Sequence, residues 1–187
     1  MQIVPQSIPD VLLFVPKVFG DERGFFVETA RQNLLDEVGI PPLIQHNQSR
    51  SRCGVLRGLH YQLVQPQGKL VRCSSGSVFD VAVDVRRGSP SFGQWVGAIL
   101  DDVSHHQLWV PPGFAHGFLV LSEVADFCYL CSNYYHPASE QGIAWNDPAV
   151  GIQWPELPDG VEPQLSTKDM ANLNLAEQDA MQLPKLS

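Results

Sequence analysis

Six histidines, four cysteines and four tyrosines are the side chains of this 187-residue sequence best suited to move protons or hold metals. His60 lies in Arg57-Gly58-Leu59-His60-Tyr61-Gln62, and His116 in Pro112-Gly113-Phe114-Ala115-His116-Gly117. Both sit among apolar neighbours, where an imidazole without a partner is costly. Each is therefore either a satisfied core histidine or a working proton acceptor. His105 and His106 follow Asp101, Asp102 and Ser104, which reads as a solvated turn, and His136 precedes Pro137 in another loop. One metal pattern of small β-barrels joins an H-x-H pair, a later Glu and a His from a P-x-G-x-x-H stretch. Residues 111–116 supply the last part, but the position two after His60 is Gln62, and amide oxygens are poor ligands for transition metals. Cys128 and Cys131 have C-x-x-C spacing without a second pair, and on a strand they face opposite ways. No metal is expected. Nucleophile-elbow, phosphate-loop and dinucleotide fingerprints are absent as well. Three features then remain: His60 near cationic residues, the tyrosines of 129–135, and Lys168-Asp169. Strand parity turns Tyr129 and Tyr135 one way and Tyr134 the other, with core packing as the plain alternative role.

Short β-rich runs between turn residues must position these groups. Fifteen Gly and fifteen Pro punctuate the chain, with strand-like runs at 11–15, 24–28, 43–48, 54–62, 68–73, 78–85, 94–100, 107–110, 116–121 and 124–135. In the clearest run, Phe79, Val81, Val83 and Val85 share one face, while Val78, Asp80, Ala82 and Asp84 share the other. Many short strands predict an all-β double sheet, a sandwich or barrel. An early helix is marked by a Thr29/Gln32 capping box, an apolar stripe of Leu34, Leu35 and Val38, Gly39 past its end, and Pro41-Pro42 beyond. A second helix is expected around 169–181.

The length fits one domain spanning 1–187, and 44% hydrophobic residues can fill a core. Apolar runs are too short to span a bilayer, and residues 1–10 lack a cationic start followed by an apolar stretch. Four cysteines are too few for a disulfide scaffold, so a cytoplasmic location is expected. A net charge of -8 argues against nucleic acid and anionic membranes as partners. Residues 50–87 nevertheless carry +5, against -13 for the rest, a local cationic segment suited to a small diphosphate.

Nine motifs in consistent order, over about residues 3–170, resemble one family: the dTDP-4-dehydrorhamnose 3,5-epimerases, metal-free members of the cupin superfamily. They are FGDERGFFVE at 19–28, QHN at 45–47, GVLRGLHYQ at 54–62, QGKLVR at 67–72, FDVAVDVR at 79–86, SPSFGQW at 89–95, WVPPGFAHGF at 109–118, GIAWNDP at 142–148 and STKD at 166–169. The resemblance implies a cupin-type jelly-roll double-stranded β-barrel with a few short peripheral helices, and a homodimer whose second subunit completes the active site. The implied substrate is dTDP-4-dehydro-6-deoxy-D-glucose, inverted at C3 and C5 on the way to dTDP-L-rhamnose, without a cofactor. Both carbons flank the C4 ketone, so proton removal gives an enolate. That chemistry needs a base on one face, an acid on the other and a cation beside the C4 oxygen.

By the same resemblance, His60 is the base, in keeping with the ordinary imidazole pKa of about 6.5. Asp169 orients it, with Asp84 as the fallback partner, Tyr129 is the acid, and Lys69 faces the enolate oxygen. Arg57, His116 and Lys168 contact substrate, with Arg57 suited to the diphosphate. Arg23, Glu28, Gln45, His46, Asn47 and Glu140 hold the nucleotide, and Tyr135 stacks on its base. Residues 171–187 read as a packing helix with a frayed end.

Arg57 and His60 stand three apart, so a regular strand would turn them to opposite faces. A bulge at Gly58 is expected to bring both into one pocket. Three alternatives stay open on the sequence: a single-position epimerase at C3 or C5, a non-catalytic nucleotide-sugar binder, and a metal-dependent cupin oxygenase, which Gln62 disfavours.

Overall fold

The computed structural model describes residues 1–186. In chain order the strands are β1 (Gln2–Pro5), β2 (Leu12–Val15), β3 (Val18–Asp21), β4 (Gly24–Val27), β5 (Gln45–Arg52), β6 (Leu56–Gln62), β7 (Lys69–Ser75), β8 (Ser77–Asp84), β9 (Trp95–Asp101), β10 (Gln107–Val110), β11 (Phe114–Val120), β12 (Val124–Cys131) and β13 (Glu140–Gly142). Two short helices, α1 (Gln32–Glu37) and α2 (Thr167–Met170), accompany them. A six-stranded sheet runs β1-β2-β10-β7-β12-β5, and a five-stranded sheet runs β13-β6-β11-β8-β9. Strands β3 and β4 form a separate hairpin. This is the jelly-roll architecture expected.

The sheets face each other across an apolar core. Val71, Leu108, Val110 and Phe127 from the larger sheet meet Val78, Val96, Leu100 and Phe118 from the smaller. Strand β8 keeps the predicted parity and is covered on both sides. Val78 and Ala82 face the other sheet, while Val81, Val83 and Val85 join a second cluster with Ile143, Val150, Leu175 and Leu183. Asp80 and Asp84 therefore point inward with Val78 and Ala82, and both are fully buried. Helix α1 covers the outer face of the six-stranded sheet, where Leu35 and Ile40 pack with Phe14, Leu70 and Trp109.

Several local expectations are corrected. The N-cap of α1 is Arg31 with no side-chain cap, so the Thr29/Gln32 box does not form, and Gln32 instead bonds Asp36. Of the expected stripe only Leu35 is buried. The helix ends as predicted, with Gly39 at φ +74, its N–H bonding the Asp36 carbonyl, and Ile40 N–H bonding that of Leu35. The run at 124–135 stops at Cys131: Ser132 N–H still meets the Gly68 carbonyl in register with β7, but the Gly68 N–H is taken by the Ser132 hydroxyl. The helix expected over 169–181 is broken into α2 and short turns at Leu175–Glu177 and Ala180–Gln182. That tail packs through Leu175 and Leu183 on the outer face of the five-stranded sheet; residue 187 lies outside the described residues. Among the described residues, no helix is long and apolar enough to cross a membrane.

Candidate active site

Strand β6 carries His60 and Arg57, and its pairing with β11 slips between them. His116 stands opposite His60 and Phe118 opposite Arg57, so three steps on β6 match two on β11. The expected bulge is there. It needs glycine on both strands: a Cβ on Gly58 would lie 2.6 Å from the Gly117 Cα, and one on Gly117 would lie 2.5 Å from the Arg57 carbonyl oxygen. Gly58 also has φ +119, which L side chains rarely adopt. Leu59 stays in the outer core while Arg57 and His60 both line one cavity between the sheets.

That cavity has a volume of about 670 Å³. On its five-stranded wall, His60 Nε2 lies 2.5 Å from Asp169 Oδ1, and the Asp169 side chain is only 5% exposed. Asp169 sits in α2, whose N-cap Ser166 accepts the Asp169 N–H. Burial pushes the Asp169 carboxyl up, but His60, Ser166 and the Gly58 amide outweigh it and hold the group below its ordinary value. A carboxylate that accepts Nε2–H leaves Nδ1 as the ring's basic nitrogen. Nδ1 is 3.9 Å from Glu140 Oε1.

Tyr129 and Lys69 line the opposite, six-stranded wall from β12 and β7. Burial raises the Tyr129 pKa, helped by Cys131 and Glu140 against Arg57. Burial lowers that of Lys69, and the neighbouring Cys131, Glu140 and Asp80 only partly oppose it. Among the described residues, no carboxylate lies within ion-pair distance of the Lys69 ammonium. The wall thus presents a phenol that burial keeps protonated and a buried amine with no carboxylate within ion-pair distance among the described residues.

At the mouth, Glu140 joins Tyr135 and Lys168: it accepts the Tyr135 hydroxyl at 3.0 Å and pairs with the Lys168 ammonium. Burial raises the Glu140 pKa, but Lys168, His60 and Tyr135 together bring it below the ordinary glutamate value. Gln45 accepts the Tyr135 N–H, and Asn47 lies beside it along the same face of β5. Tyr134, as parity implied, does not line the cavity, although Tyr135 is placed by this loop and not by the strand.

Three expected contacts lie elsewhere in this chain. His46 is on the opposite, exposed face of β5 from Gln45 and Asn47. Arg23 projects from the β3–β4 hairpin with its side chain 84% exposed and pairs with Asp21. Glu28 follows β4 and pairs with Arg31. Asp84 is not the partner of His60. Its oxygens take Arg86, Ser89 and Ser91, and these bonds hold its pKa low against burial. Gln62, where a metal site would need His, gives its amide to the carbonyls of Val64, Gln65 and Tyr134 and so ties the loops together. Asp80 went unassigned from sequence: buried beside the cavity, it bonds His116 Nε2 at 2.8 Å. The alternation of 78–85 could have found it, since it shares the inward face with Asp84.

The model of the dTDP-4-dehydrorhamnose 3,5-epimerase family matches residues 5–177. The chain belongs to this family. Among relatives of this epimerase family, the dTDP-4-dehydrorhamnose 3,5-epimerase of Pseudomonas aeruginosa is 53% identical over 96% of this chain and 98% of its own. The crystal structure of the Legionella pneumophila dTDP-6-deoxy-D-glucose-3,5-epimerase in complex with dTDP-4-keto-L-rhamnose superposes with a TM-score of 0.95 at 51% identity, covering 100% of this chain and 98% of that one. A 3'-monoepimerase from Streptomyces bikiniensis, in complex with dTDP-quinovose, is similar at a TM-score of 0.88 and 36% identity, covering 97% and 92%. The family is one of isomerases, and its cupin-like jelly roll is the fold described above.

Proposed function

We propose that this chain inverts C3 and C5 of dTDP-4-dehydro-6-deoxy-D-glucose to give dTDP-4-dehydro-L-rhamnose. The observation that carries this reading is the opposition of base and acid: His60 on one sheet, Tyr129 on the other, with Lys69 beside Tyr129. His60 Nδ1 takes the proton from the carbon next to the ketone, and the C–H electron pair moves onto the C4 oxygen. The Lys69 ammonium stabilises the enolate charge that forms there. As the enolate collapses, Tyr129 gives its proton to the carbon from the opposite face, which inverts the centre. Imidazolium and phenolate then return to their starting forms by exchange with solvent. Asp169 holds the ring and stabilises the imidazolium. Arg57, His116 and Lys168 meet the substrate, and Gln45, Asn47, Glu140 and Tyr135 frame its nucleotide end.

A homodimer completes the reading. Phe19, Phe25 and Phe26 on the β3–β4 hairpin are more than half exposed, at 53%, 60% and 67%, an apolar patch that seeks cover. Arg23 rides on this hairpin, so docking it on a second copy would carry Arg23 and Glu28 towards that copy's nucleotide end. Four unpaired cysteines support a cytoplasmic location. A single-position reaction is the second reading, favoured by the likeness to the 3'-monoepimerase.

Incubation with the 4-keto sugar nucleotide in heavy water tests the proposal, because every proton delivered through Tyr129 has exchanged with solvent. Deuterium at both C3 and C5 of an inverted product is expected. Label at one carbon alone would favour the single-position reaction, and no label would sink both.

A further inference from the structure

Asp80 is a fully buried carboxylate behind the cavity lining, bonded to the lining residue His116, that the mechanism above does not use. Its Oδ2 bonds His116 Nε2, while Oδ1 is buried without a partner among the described residues. Half-satisfied buried carboxylates are expensive, and such a group calls for an explanation. Its placement supplies one. His116 pairs directly with His60 across β11 and β6, and with Ala82 across β11 and β8, so Asp80 is its diagonal neighbour. The His116 ring stacks against Phe127 with a 19° interplanar angle, and its side chain lines the cavity. With Nε2 held from below, Nδ1 is the ring nitrogen left for the substrate.

We propose that Asp80 is a positioning residue for the epimerisation, resting on the function proposed above: its carboxylate fixes the His116 ring by Nε2 and places a counter-charge facing Lys69 from the neighbouring sheet. The groups whose charge acts on Lys69 are Cys131 from β12, Glu140 from β13 and Asp80 from β8, while Tyr129, Tyr135, His116, Arg57, His60, Lys168 and Asp169 line the same cavity. Of the two carboxylates, Glu140 is already paired with Lys168, whereas Asp80 keeps one oxygen unpartnered.

Asp80→Asn keeps the shape and removes the charge. The alkaline limb of kcat/KM, where Lys69 loses its proton, is expected to move to lower pH. A role in packing alone would lower stability and leave the limb in place, so an unmoved or raised limb overturns the proposal. Should that variant not fold, nitrogen-15 NMR of the unaltered enzyme reads the other half. A proton on His116 Nε2 is expected, and an Nε2 without one overturns the assignment. The NMR result does not depend on turnover, so failure of the His116 assignment is told apart from failure of the proposed function, which an enzyme that does not epimerise would show.

Discussion

Lys69 carries the sharpest residue-scale consequence, because burial works against its charge while the reaction requires it. Lys69→Met is expected to lower kcat by about 10² to 10³, the usual cost of one donor to a developing oxyanion. The sign of the pH effect follows from the same burial. In the proposed reaction the ammonium form is the active one, and its pKa lies below the ordinary 10.5, so kcat/KM should fall as pH rises through a value under 10.5. Burial moves Tyr129 the other way, above 10.0. A limb at or above 10.5 would contradict this. Residue types brought His60 and the tyrosines of 129–135 forward in the sequence, since few side chains suit proton transfer, whereas Lys69 and the division of roles came with the family resemblance. Their partners were less so. Asp169 was the expected partner of His60 with Asp84 as the fallback, and only the fold shows that Asp84 is spent on Arg86 and two serines.

At the scale of elements, the β6 bulge decides whether Arg57 and His60 share a pocket. Gly117→Ala would drive a methyl group into the Arg57 carbonyl, so it should destabilise the fold by about 1–3 kcal/mol and lower activity with it. Denaturant unfolding would measure this, and unchanged stability would show that the close approach is not needed. The bulge was legible because three-residue spacing conflicts with a two-residue period, and Gly58 marks the place where the conflict is resolved. The parity of β8 was legible too, since apolar residues occupy both of its faces in alternation with Asp80 and Asp84. The ends were not. The ladder ends at Ser132, whose hydroxyl takes the Gly68 N–H, and the tail after Met170 spends its apolar residues on the sheet, not on a helical face. Both outcomes depend on partners distant in sequence.

For the whole molecule, the β3–β4 hairpin is the part that a single chain leaves unexplained. Its three exposed phenylalanines predict a dimer in solution, and Phe26→Asp is expected to yield monomers with weaker substrate binding. A monomeric unaltered protein in sedimentation would overturn the shared-site reading of Arg23 and Glu28. The same scale holds the central claim, that base and acid act from opposite sheets. Sequence shows both residue types, but not that β6 and β12 face each other, because a strand's sheet is set by long-range pairing. Heavy-water exchange with two variants tests that claim most directly. Tyr129→Phe is predicted to keep exchanging the protons beside the ketone while losing inversion, and His60→Ala to lose both. Equal loss of exchange and inversion in Tyr129→Phe would contradict the account.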